Sequence, residues 1–165
     1  MTWKKEFVRY AIISFASLAA VGLLVSFGTV RGGEVFGAGG LRIESPWARA
    51  TIGSARTGAV YMNRKNAGAE ADRLVAIETP VAVKAHLHET VSERGVMKML
   101  PVDDFALEPG ESIMLAPGGL HIMLMKLAVP LKENQPFPLT LRFEKAGSVT
   151  LTVVVGGPGQ MAAPE

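Results

Sequence analysis

From Leu41 to about Val155 apolar residues recur at alternate positions in short runs, the pattern of half-buried β-strands. The runs are LRIE, GAVYMN, RLVAIE, VAVKAHLHE, GVMKML, SIML, LHIMLMKL, LTLRF and SVTLTVVV. Turn-forming pairs and triplets separate them: SerPro at 45–46, AsnAlaGly at 66–68, ThrPro at 79–80, GluArgGly at 93–95, ProGly at 109–110, ProGlyGly at 117–119, ValPro at 129–130 and AlaGly at 146–147. No stretch carries a 3.6-residue period. Short strands without helical crossovers argue for an all-β antiparallel sandwich or barrel over a parallel α/β sheet. The domain is expected over residues 41–155.

The flanks differ in kind. Lys4, Lys5 and Arg9 precede an uncharged stretch from Tyr10 to Val30, close to the roughly 20 residues that span a bilayer as a helix. Residues 1–31 therefore read as an export segment, either a signal peptide or an uncleaved membrane-anchor helix. In both cases the basic flank stays in the cytoplasm and the rest lies on the far side. Residues 32–40, GGEVFGAGG, hold five glycines and read as a flexible linker; GPGQMAAPE and the Gly156 before it read as a disordered tail over 156–165.

Charge and cysteine count exclude several functions. The whole chain has 17 basic and 15 acidic residues; residues 1–31 account for four and one of them, leaving 13 against 14, a net charge of −1. No basic stripe remains to neutralise phosphates, so nucleic acid is not an expected partner. Without cysteine there are no disulfides, thiolate nucleophiles, iron–sulfur ligands or Cys-based zinc sites. Any metal falls to His, Met, carboxylate or backbone donors.

All three histidines, His86, His88 and His121, lie in expected strands close to methionines. Around the turn at 92–95, a hairpin pairing Val91 with Val96 sets Glu89 against Lys98 and His88 against Met99, with Cβ atoms about 5 Å apart. In HIMLM, alternation sends His121, Met123 and Met125 to one face. Two imidazoles and two thioethers are neutral donors, and the soft sulfurs suit Cu(I) and not Zn(II), Ca(II) or Mg(II).

His88, ten residues, Met99, twenty-one residues, His121, one residue, Met123 resembles the H-x10-M-x21-H-x-M motif of the PCu(A)C family of periplasmic copper chaperones. GGLHIMLMKLAVPLKE is also similar to that family, and the resemblance covers roughly 41–155. It implies a cupredoxin-like sandwich with Greek-key connections, carrying one Cu(I) on His88, Met99, His121 and Met123. It further implies a periplasmic carrier, soluble or anchored by its N-terminal segment, that delivers copper to a copper enzyme such as cytochrome c oxidase. Some family members bind a second copper on a His- and Met-rich C-terminal extension; here the tail offers only Met161.

Plainer readings cover the neighbouring residues. Met62 and Met114 sit in apolar alternation and are expected to pack in the core. Met97 and Met125 share faces with the motif methionines and read as support. His86 reads as packing or as a transient or outer ligand. Arg42, Trp47, Arg49 and Asn66 are expected to be structural.

Mutating a ligand is expected to weaken copper binding without unfolding the domain, if the site is exposed. Binding is expected to weaken below about pH 6, because imidazole must be neutral to ligate. An electron-transfer copper site of the blue type needs a cysteine, and no Ser-His-Asp order stands out for a hydrolase, so an enzyme is not expected. The remaining alternative is a non-catalytic exported binding or adhesion domain without a metal role.

Overall fold

The computed structural model describes residues 35–103 and 105–164; the expected export or anchor helix at 1–31 lies outside them. Eleven strands follow one another without a helix: β1 Val35–Ala38, β2 Leu41–Arg49, β3 Thr57–Asn66, β4 Asp72–Glu78, β5 Ala82–Glu93, β6 Val96–Pro101, β7 Phe105–Leu107, β8 Ser112–Leu115, β9 Leu120–Leu127, β10 Phe137–Phe143 and β11 Gly147–Gly156. Nine coincide with the alternating runs of the sequence.

The strand order is β6-β5-β9-β3-β2-β11-β10-β4-β7, with β1 on β2 and β8 on β3. Strand β11 belongs to both layers. Its C-terminal end pairs with β2, matching Val154 to Trp47, and its length pairs with β10. The β11–β2 pair is parallel, so the sheet is antiparallel except at this seam.

Alternation explains how the layers close on one core. In β10, Phe137, Leu139, Leu141 and Phe143 point inward while Pro138 and Arg142 point to solvent. Leu139 sits opposite Leu151 and Leu141 opposite Val149, so these four side chains share a face. In β9, Ile122 and Leu124 are at most 1% exposed and anchor the same cluster. Burying each contributes about 2–3 kcal/mol, and this fixes β9 against rotation, because a one-residue slip would turn its inward set to water.

Buried polar groups tie down the connections. Asn66 donates to the carbonyls of Glu70 and Leu107 and accepts from the Gly68 amide. The Asp72 carboxylate accepts from the backbone amides of Arg73, Lys145 and Ala146. Desolvation raises its pKa, but those three amides together with the charge of Lys145 outweigh it and hold the carboxyl below its ordinary value. Arg64, 2% exposed, lays its guanidinium over Phe105, 4.2 Å from the ring centroid.

Four expectations change. The segment 32–40 is not wholly a tether: Val35–Ala38 forms β1, and Gly39 and Gly40, both at positive φ, make the turn into β2. Of the tail expected to be disordered over 156–165, the described part, 156–164, is attached, since Arg49 donates to the Gln160 carbonyl at 2.6 Å. Met62 is buried as expected, but Met114 is 67% exposed because alternation in β8 sends Leu115 into the core and Met114 to solvent. The β5–β6 hairpin register is the fourth.

Candidate metal centre

The β5–β6 turn is Arg94-Gly95, both in the left-handed region at φ 52° and 83°, the two-residue geometry that matches strand twist. Glu93 therefore pairs with Val96, Thr90 with Met99 and His88 with Pro101. The expected His88–Met99 and Glu89–Lys98 pairings are each displaced by two positions. An even displacement preserves faces, so Met99 stays on the side of His88 as its diagonal neighbour. Lys98 bridges to Glu93 instead of Glu89.

A non-local pairing supplies what the hairpin does not. Strands β5 and β9 are antiparallel neighbours, with His88 opposite His121 and His86 opposite Met123. The His88 and His121 ring centroids are 6.1 Å apart, with the planes tilted by 50°. On the other flank of β9, Ala59 of β3 faces Met123 and leaves its side chain room.

The two imidazoles have different surroundings. His121 is 5% exposed, and its Nδ1 lies 2.9 Å from the Gly119 carbonyl. A carbonyl accepts only from N–H, so Nδ1 carries a proton, and in the neutral ring Nε2 is the nitrogen with the free lone pair. The His88 Nδ1 is buried with no hydrogen-bond partner. Burial lowers the His88 pKa, His121 and His86 lower it further, and Asp103 opposes them. The ring is thereby held neutral, the form that ligates.

Met99, His121 and Met123 line one open cavity of about 330 Å³, together with Arg49, Tyr61 and Thr57. Exposure grades across it from buried His121, through half-buried Met123, to Met99 at 59%. Met97 lies two residues along from Met99 and is 61% exposed; Met125 sits opposite Lys84 and Thr57. Met161 is 68% exposed and its sulfur accepts from Arg49. His86 lines a different groove of about 590 Å³ between β4 and β5 that contains no methionine. Among the described residues no three His, Asp or Glu side chains gather as a metal site. The face of β5, β6 and β9 that carries His88 and His121 also carries His86, Met97, Met99, Met123 and Met125, all of them neutral donors apart from a protonated imidazole.

The sequence did not disclose the cavity's other wall. Trp47 stacks on Tyr61 with centroids 4.7 Å apart, and the Arg49 guanidinium lies 5.8 Å from the Tyr61 ring centroid. Trp47 and Arg49 were expected only to be structural, because nothing local shows that Arg49 and Tyr61 border this cavity with Trp47 packed behind them.

Residues 41–155 match the family model described as "Putative lipoprotein LpqE-like". A putative lipoprotein of Leifsonia xyli subsp. xyli, Lxx21020, is 35% identical over 119 residues, covering 72% of this chain and 70% of that protein. Among solved structures, the copper-bound PCuAC domain from PmoF2 superposes with a TM-score of 0.66 at 27% identity, covering 76% of this chain and 99% of that domain. The Cu(I) form of DR1885 from Deinococcus radiodurans gives a TM-score of 0.52 at 28% identity, over 67% and 74% of the respective chains. The chain belongs to the LpqE-like family, and its β-domain is of the PCuAC type.

Proposed function

We propose that this protein is an exported copper(I) carrier that holds one ion on His88, Met99, His121 and Met123 and surrenders it to a copper enzyme. The observation that carries the reading is the pairing of His88 with His121 across β5 and β9, beside a cavity bordered by Met99 and Met123. All four donors are uncharged, and the sulfurs match the soft monovalent ion. Copper is cargo here, so the chain needs binding and release and no chemical transformation.

The graded exposure supplies an order for handover. His121, buried and oriented by Gly119, is the fixed ligand, while Met99 on the edge strand β6 is the accessible one. An acceptor with stronger donors, such as thiolates, displaces Met99 first, and the ion then leaves the imidazoles by ligand exchange. Cytochrome c oxidase is the acceptor implied by the resemblance. The Leifsonia relative's description as a lipoprotein supports export to a membrane surface. This sequence has no cysteine to carry a lipid, so attachment, where it persists, falls to the apolar segment at 1–31.

Copper K-edge X-ray absorption on the Cu(I)-loaded protein tests the ligand set. A mixed shell of two nitrogen and two sulfur donors is expected, reduced by one sulfur in Met99→Leu. A shell of nitrogen and oxygen alone sinks the assignment.

A further inference from the structure

Among the described residues, the wall of the cavity beside the paired histidines carries one formal charge, and that charge is positive. Arg49 lines the cavity with Tyr61, Thr57, Met99, His121 and Met123, and among the described residues no carboxylate does. Its guanidinium is held from two sides. The Tyr61 ring lies beneath it at 5.8 Å, and Nε and a terminal nitrogen reach the Gln160 carbonyl and the Met161 sulfur at 2.6 and 2.7 Å. None of these partners is anionic, so among the described residues the charge has no ion-pair partner. The other charges on the β5–β9 ladder are Lys84, opposite Met125, Glu89, opposite Leu120, and Lys126, and Asp103 acts electrostatically on His88.

Resting on the copper reading above, we propose that Arg49 is a specificity-determining residue that selects the monovalent over the divalent ion. With four neutral ligands, a bound ion keeps its full charge, and a fixed cation in the cavity wall repels Cu(II) about twice as strongly as Cu(I). A unit charge at cavity-wall distance, in an effective dielectric of about 20 to 40, shifts such a balance about tenfold. The planar guanidinium suits this role because it stacks on Tyr61 while keeping its charge. The tail bonds aim it and are not the source of the effect.

The test is the ratio of Cu(II) to Cu(I) dissociation constants, measured by paired competition titrations on the full-length protein in detergent. Arg49→Gln is expected to lower that ratio about tenfold, equivalent to a fall of about 59 mV in the one-electron potential. Arg49→Lys and a chain ending at Gly156 are expected to stay within threefold of wild type. Ile52→Glu puts a carboxylate on the exposed rim of the same cavity, Ile52 being 75% exposed. It is expected to shift the ratio in the same direction as Arg49→Gln and carries the test if that variant does not fold. A ratio unmoved by Arg49→Gln overturns the inference, as does an equal shift on truncation, which would make Arg49 a tail clasp only. Loss of Cu(I) binding in the wild-type protein would instead defeat the functional reading, so the two failures are distinct.

Discussion

The two paired histidines should separate sharply when apo stability and copper affinity are measured side by side. His121→Ala empties a side chain that is 5% exposed and removes its bond to the Gly119 carbonyl. The hydrogen bond contributes about 1 kcal/mol and the vacated volume about 1–2 kcal/mol more, a total of about 2–3 kcal/mol. For a domain of this size that lowers Tm by about 8–12 °C. His88→Ala removes a half-buried ring whose Nδ1 has no partner. The lost contacts are offset by relief of that desolvated nitrogen, and a cost under about 1 kcal/mol is expected. Copper affinity should nonetheless fall by about a hundredfold or more in both, since even outer-shell changes at metal sites cost 10–100-fold. Urea denaturation of the apo proteins, paired with anaerobic Cu(I) competition, reads both quantities. Equal apo destabilisation by the two substitutions, or the larger loss in His88→Ala, would refute the reasoning. The burial of His121 also corrects the expectation that ligand removal leaves the fold untouched: that holds for the exposed methionine and not for this histidine.

Two further outcomes follow from the geometry. His88 has its pKa lowered by burial and by the other two histidines, so the unfolded chain takes up a proton that the native ring refuses. Apo stability should therefore decline as pH falls below about 6.5. A second decline should follow as pH drops from about 4 through the depressed pKa of Asp72, whose contribution is present only above the ordinary carboxyl range. Chemical denaturation from pH 8 to 3 checks this, and a flat profile contradicts it. In the β5–β6 turn, Arg94 occupies a left-handed conformation at φ 52°. Arg94→Gly should raise stability by up to about 1 kcal/mol and Gly95→Val should lower it by more than that, as thermal melts would show.

The strands were legible because their patterning is local, while the site depends on pairings that are not. Alternation in HIMLM correctly put His121, Met123 and Met125 on one face, since that requires only the two-residue period. The hairpin register failed because Arg94 gives no sign that it will adopt the conformation usually left to Asn, Asp or Gly. The missed strand β1 lies among glycines, and two of them are needed for its turn. A Cβ on Gly40 would meet the backbone of Gly68 at 2.7 Å. Three-residue β7 was too short for periodicity to register. The pairing of His88 with His121 links residues on strands separated in sequence by β6, β7 and β8, and no local signal encodes it. The motif spacing reached the same residues through resemblance. It did not reveal that the imidazoles face each other or that Arg49 borders their cavity.

The most direct test of the carrier assignment is an anaerobic Cu(I) competition titration of the full-length protein against a chromogenic chelator, with Met99→Leu and His121→Ala alongside. One tight equivalent in the wild type, weakened in both variants, is the expected result. No binding, or binding indifferent to both substitutions, would contradict the assignment of copper to His88, Met99, His121 and Met123.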